Sequence, residues 1–210
     1  MNIFEEGLLR YLTRQQLQQI QSKKIGIGGV GGLGSNVAII LTRSGFKNFE
    51  ILDLDMIDAS NLNRQQYFIN EIGQSKTEVM RKRLLKINPD IQIKTHTIHW
   101  EPEMADQFFQ DADYIIEAFD KVEYKHAFVN FYHDKVEYLV SGIGMAGLTQ
   151  KDKMQVKKIG NIFICGDIKT DTACGHPPMA PRVTQCAAMM AEIILDLSLG
   201  LTSDNLLQPK

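Results

Sequence analysis

Cysteine is scarce in this chain: Cys165, Cys174 and Cys186 are the three among 210 residues. No two form a CxxC pair, so neither a disulfide framework nor a four-cysteine zinc site is expected, and a reducing cytoplasm fits best. A surplus of one charge is also missing. The 23 Lys and Arg face 25 Asp and Glu, a formal net charge of −2. Such a chain has no broad electrostatic footprint for nucleic acid or a membrane surface, so a specific ligand site has to carry the function. No apolar run is long enough to cross a bilayer, and Met1 to Arg10 holds Glu5 and Glu6 where a signal peptide would be apolar. Internal repeats, low-complexity tracts and a clean linker are absent. What remains is ordinary globular composition, 44% hydrophobic and 23% charged, in a length that suits one domain.

Hydrophobic spacing orders the chain. Residues 3 to 21 read as a helix, with Ile3, Leu8, Leu12, Leu17 and Ile20 on one stripe. Strands are expected at 24–28, 49–52, 91–98, 114–116 and 136–141, alternating with helices at 33–43, 75–87, 101–110 and 122–133. That alternation implies an α/β fold: a Rossmann-like, doubly wound, mostly parallel sheet with helices on both faces. Beyond Gly147 the pattern changes to an antiparallel hairpin, 154–158 and 161–165, turning at Gly160-Asn161. A last helix from Val183 to Leu199 is apolar on most faces and belongs in the core or in a subunit interface.

Gly29-Val30-Gly31-Gly32-Leu33-Gly34-Ser35 follows a strand and opens a helix. In that context glycines let the backbone approach a phosphate, and the helix N-terminus offers free N–H groups. Asp53 ends the next strand, where a carboxylate can bond ribose hydroxyls. Alone, the loop says only "nucleotide", with NAD, FAD and ATP all open; the competing reading is a tight turn without a ligand. The segment from Asp53 and Asp55 through Asn61, Arg64 and Gln65 narrows the choice. A triphosphate needs fixed cations: Arg64 offers a planar fork, and Lys76, after Gly73-Gln74-Ser75, offers a point charge at a helix start.

The glycine loop, the Asp53-to-Arg64 segment and the Gly73-to-Lys76 turn resemble the ThiF/MoeB/HesA family, bacterial relatives of ubiquitin-activating enzymes. The similarity runs from about residue 20 to residue 147 and more weakly to the end. Length and the Met179-Ala180-Pro181-Arg182-Val183 segment are most similar to the compact ThiF-type proteins, which adenylate the sulfur carrier ThiS for the thiazole half of thiamine. The resemblance implies one adenylation domain over 1–210, with a helical arm at 1–21, a nucleotide-binding core at 22–147, and a hairpin, crossover loop and helix at 148–210. It assigns Gly29, Gly31, Gly32 and Gly34 to the phosphates, Asp53 to the ribose, and Asp55, Asn61, Arg64, Gln65 and Lys76 to ATP. Asp120 resembles the aspartate that holds Mg²⁺, although Lys121 follows it where relatives usually carry Asn. It further implies a homodimer in which Arg14 reaches the neighbouring site, a ThiS-like ubiquitin-like partner, no zinc, and Cys174 as candidate acyl or sulfur acceptor. Cys165 and Cys186 read as core. His96, His99 and His176 have no ligand partner at metal spacing, and Trp100 reads as the cap of an apolar layer.

The implied chemistry is attack of a C-terminal carboxylate on the α-phosphorus of ATP with release of pyrophosphate. Alternatives are another carrier (molybdopterin or tRNA-thiolation type) or a peptide, a non-catalytic scaffold, and an NAD-linked oxidoreductase on the same glycine loop.

Overall fold

The computed structural model describes residues 1–147, 154–170 and 175–201. Its layering follows from the first strand, β1 (Lys24–Gly28), which reads Lys-Ile-Gly-Ile-Gly. Side chains alternate across a strand. Ile25 and Ile27 therefore point to one face, where they join Val37 and Leu41 of α3 (Gly32–Arg43) and Met190 and Ile194 of α6 (Ala180–Ser198) in the larger core. Gly26 and Gly28 point to the other face, and aromatic rings fill the space they leave. A Cβ would stand 2.8 Å from Phe109 Cδ1 at Gly26 and 2.7 Å from Phe128 Cζ at Gly28. Phe109, Phe128, Trp100, Tyr132 and Leu139 form the second core.

Among the described residues the sheet has seven strands in the order β3-β2-β1-β4-β5-β7-β6. The others are β2 (Asn48–Leu52), β3 (Gln92–His96), β4 (Tyr114–Glu117), β5 (Tyr138–Gly142), β6 (Gln155–Ile159) and β7 (Ile162–Gly166). All pairings are parallel except β6 with β7. The chain moves outward from β1 to β3, then returns to lay β4 on the other side of β1. Strand order reverses there, and a crevice opens at the strand ends. α4 (Lys76–Ile87) lies beside α3, while α5 (Val122–Tyr132) covers the aromatic face.

The expected elements, the late antiparallel hairpin among them, are present, with two corrections. The N-terminal arm is two helices, α1 (Ile3–Leu8) and α2 (Arg14–Ser22), because Thr13 and Gln16 form a reciprocal cap that starts a new helix. The expected helix at 101–110 is a 3₁₀ helix over Pro102–Gln107, ended before Phe109 turns to positive φ. In the hairpin, β7 inserts beside β5 and leaves β6 as an exposed edge carrying Lys157 and Lys158. α6 starts at Ala180 and is buried against α3, which places its apolar surface in the core. Among the described residues no helix is long and apolar enough to cross a membrane.

Candidate functional site

The crevice at the ends of β1, β2, β4, β5 and β7 is a cleft of about 810 Å³. Gly29, Gly31 and Gly32 line it, and α3 begins at Gly32 without a side-chain cap, so its first amides remain available to an anion. Gly34 sits behind the loop: a Cβ there would overlap the carbonyl oxygen of Gly29. Gly34→Ala is expected to cost about 1–3 kcal/mol and to weaken any nucleotide held on the loop. Urea midpoint and nucleotide titration check this, and wild-type values in both would show that the loop tolerates the methyl group.

Two residues that sequence reasoning missed strap the loop to the segment after β2. Asn36 donates its amide to the carbonyls of Gly32 at 2.6 Å and Arg64 at 2.9 Å. The Tyr67 hydroxyl, buried, donates to the Val30 carbonyl at 2.8 Å. Only the position of Asn36, one turn after the glycines, hints at this in the sequence.

Asp53 directly follows β2 and accepts the Val30 N–H at 2.6 Å on one oxygen and the Asp55 N–H at 2.7 Å on the other. Each oxygen keeps a lone pair for a ribose hydroxyl. Burial raises the carboxyl above its ordinary 3.8; the charge of Lys76 and the two amides pull it back without cancelling the shift. Because the folded value is raised, ionised Asp53 costs stability above it, and that cost is gone below 3.8. A ribose bound at Asp53 would run the other way, since it would use the carboxylate. ATP affinity is therefore expected to fall on acidification at a higher pH than an ordinary aspartate would give. Titrating ATP across the mildly acidic range checks this, and an acid limb that persists unchanged in Asp53→Asn would assign it to another group.

Lys76 opens α4 and is 4% exposed. Its Nζ lies 2.6 Å from Asp55 Oδ2, whose side chain is 63% exposed. The cation is thus fixed in the protein while its counter-charge faces the cleft. Arg64 lies over Gly32, its Cδ and Nε each 3.6 Å from where a Cβ would stand. Nη1 donates to Ser60 O at 3.0 Å and Asn63 Oδ1 at 2.8 Å, which leaves Nε and Nη2 for a ligand. Gln65 lines the cleft beside it, and Asn61 does not. The Asn61 carbonyl accepts the N–H groups of Arg64 and Gln65, and its side chain accepts from Asp58 N–H, so it builds the turn that presents both.

Asp120, just past β4, lines the cleft, is exposed, and makes no hydrogen bond or ion pair with the described residues. Among the described residues no three His, Cys, Asp or Glu gather as a metal cage. Magnesium needs no cage: it takes one or two carboxylates and completes its shell with phosphate oxygens and water, so a lone cleft carboxylate fits it. Glu117, which sequence reasoning passed over, is fully buried one turn earlier. It accepts Phe119 N–H at 2.8 Å, Ser141 Oγ at 2.6 Å, and Lys125 Nζ at 2.7 and 3.0 Å. The sequence signal was an acid ending an apolar strand, with a lysine one helical start later.

Arg14 is exposed on the first turn of α2 and does not line the cleft. Cys174 lies outside the described residues. Cys165 and Cys186 are buried, and burial pushes both thiols up to about 12, which leaves them inert as nucleophiles. His96 bonds Glu50 at 2.7 Å, His99 meets the Tyr124 ring edge-on at the cleft, and Trp100 is buried in the aromatic core.

Known proteins resemble this chain in sequence and in fold. The chain is 30% identical over 150 residues to a tRNA threonylcarbamoyladenosine dehydratase of Bacillus subtilis, covering 70% of this chain and 59% of that protein. It is 42% identical over 82 residues to ubiquitin-like modifier-activating enzyme 5 of Caenorhabditis briggsae, covering 39% of this chain and 19% of that one. The crystal structure of E. coli tRNA N6-threonylcarbamoyladenosine dehydratase in complex with ATP superposes with a TM-score of 0.82 at 22% identity, covering 93% of both chains. The chain thus spans under two thirds of the length of these curated relatives. Residues 6–209 match the ThiF family, and the chain belongs to it.

Proposed function

We propose that this chain adenylates the C-terminal carboxylate of a ubiquitin-like carrier protein, with a ThiS-like sulfur carrier of thiamine thiazole synthesis as the acceptor. The observation that carries this reading is the convergence of the uncapped glycine loop, Asp53, Arg64, Lys76 and Asp120 on one cleft. A carboxylate of pKa about 3.3–3.7 is ionised at neutral pH and needs no general base. Its oxygen forms a bond to the α-phosphorus of ATP, the bond to the bridging β-oxygen breaks, and pyrophosphate leaves with the electron pair. The obstacle is bringing an anion to a polyanion. Asp53 holds the ribose, the amides at the head of α3 hold phosphate oxygens, and Arg64 and Lys76 oppose the charge that grows on the leaving group. Asp120 would hold Mg²⁺, which would supply charge neutralisation at the phosphates.

Residues 1–210 act as one adenylation domain in this reading, in the cytoplasm. A homodimer would bring Arg14 of one copy to the cleft of the other, and Cys174 would be the acceptor if the acyl group moves on. ATP–pyrophosphate exchange that depends on a carrier ending in Gly-Gly tests the reaction. No exchange, with NAD bound in preference to ATP, would favour an oxidoreductase. A second reading, a carboxylate on tRNA, is favoured by the likeness to the B. subtilis protein and opposed by the net charge of −2. The same exchange assay with tRNA in place of the carrier separates the two.

A further inference from the structure

The cleft wall farthest from Asp53 is built unlike the rest. β5 and β7 stand three and four strand intervals from β2, so at about 4.8 Å per interval the wall past β7 is roughly 19 Å away. A nucleotide with its ribose at Asp53 and its phosphates on the glycine loop therefore points its phosphates toward this wall. Two loops form it, Gly142–Ala146 and Ile168–Thr170. They are laced together by Asp167 N–H to Gly144 O at 3.0 Å and Ile168 N–H to Ile143 O at 3.3 Å. Ile168 is held at φ 61, a left-handed conformation that a β-branched residue adopts only under constraint.

The constraint is a buried ion pair. The side chain of Asp167 is 1% exposed and that of Arg182 5%, and Nη2 lies 2.6 Å from Oδ2. Asp167 Oδ1 also accepts the N–H groups of Lys169 at 2.9 Å and Thr170 at 2.8 Å, and the Thr170 hydroxyl reaches Oδ2 at 2.9 Å. A Cβ at Gly144 would overlap Asp167 Oδ1, so that position has to be glycine for the carboxylate to lie there. Arg182 belongs to the first turn of α6. Beside it, Val183 Cγ1 lies 3.2 Å from where a Cβ of Gly32 would stand, and Pro178 O accepts the Asn63 amide at 3.0 Å. One guanidinium–carboxylate contact thus registers the far wall against the phosphate loop. Apolar replacements often match a buried ion pair in stability, so its value here lies in geometry.

We propose that Asp167 and Arg182 are positioning residues that hold Ile168–Thr170 as the seat of the acceptor's terminal acyl group, on the side of the cleft the nucleotide leaves empty. The proposal rests on the carboxylate-adenylating reading above. Two stable probes separate the sides: adenosine 5′-sulfamate, which occupies the nucleotide side, and its N-glycyl derivative, a mimic of a glycyl adenylate. The wild type is expected to prefer the glycyl compound. Asp167→Asn and Arg182→Met are expected to lose that preference by about tenfold or more while binding the sulfamate nearly as the wild type does. Arg182→Lys is expected to keep part of it. Thr170→Val removes one hydroxyl and no charge, so it carries the test if the charge variants fail to fold; it is expected to lose part of the preference. Equal weakening of both probes, an unchanged preference in the folded variants, or a wild type that binds the sulfamate without preferring the glycyl form would overturn the proposal. A wild type that binds neither the sulfamate nor ATP would instead overturn the reading of the cleft itself.

Discussion

Asp120→Ala is expected to abolish carrier-dependent ATP–pyrophosphate exchange and leave the thermal midpoint where it was. The two halves of that expectation have separate causes. Asp120 is exposed and bonded to none of the described residues, so its loss removes nothing that holds the fold, and such surface changes stay within about 0.5 kcal/mol. Its place past β4, in the same cleft as the glycine loop, is where a phosphate-bound divalent ion would take a protein ligand. Removing a charge-stabilising element of this kind costs about two to three orders of magnitude in rate. Exchange assays at saturating Mg²⁺, paired with a melting curve, read both halves. Wild-type exchange would reject the metal-holding role, and a collapsed midpoint would show that Asp120 supports the fold.

Lys76→Met is expected to lower exchange by a similar two to three orders of magnitude through a different route. Methionine keeps most of the buried stem and removes only the charge. Asp55 loses its partner, yet most of its side chain is in solvent, so stability changes little. Asp53 responds more strongly: the Lys76 charge is what pulls its raised carboxyl back down, and without it the acid limb of ATP binding moves to higher pH. The paired measurement is exchange rate together with ATP affinity against pH. A slower exchange with an unmoved acid limb would mean that the two side chains do not sense one another.

The parts that were legible in the sequence are the ones decided locally. A strand, four glycines and a helix lie within one short stretch, and Arg64 and Lys76 announce themselves by residue type and by the turns before them. What was not legible depends on partners distant in the chain. Glu117 reads as the end of a strand until Lys125 and Ser141 are folded over it. Asn36 reads as one more polar helix residue until the 54–75 connection comes back across it. Arg182 stood out only as part of a family-like segment, and its partner Asp167 belongs to another loop. The break in the N-terminal arm was written locally, as Thr13-Arg14-Gln15-Gln16, but a hydrophobic stripe that runs through it carried the reading past the cap.

The position of β1 has a consequence for how the molecule matures. The glycine turn and Asp53 come with the first three strands, whereas Asp120 and the far wall arrive with β4, β5 and β7. Within the sheet the two groups meet where Ile25 pairs with Tyr114 and Gly28 with Glu117. Pairings between strands so distant in the chain close slowly. A chain part-way through synthesis would own the glycine turn and Asp53 and still lack Asp120 and the far wall, so under the proposed function competence is gained in one late step.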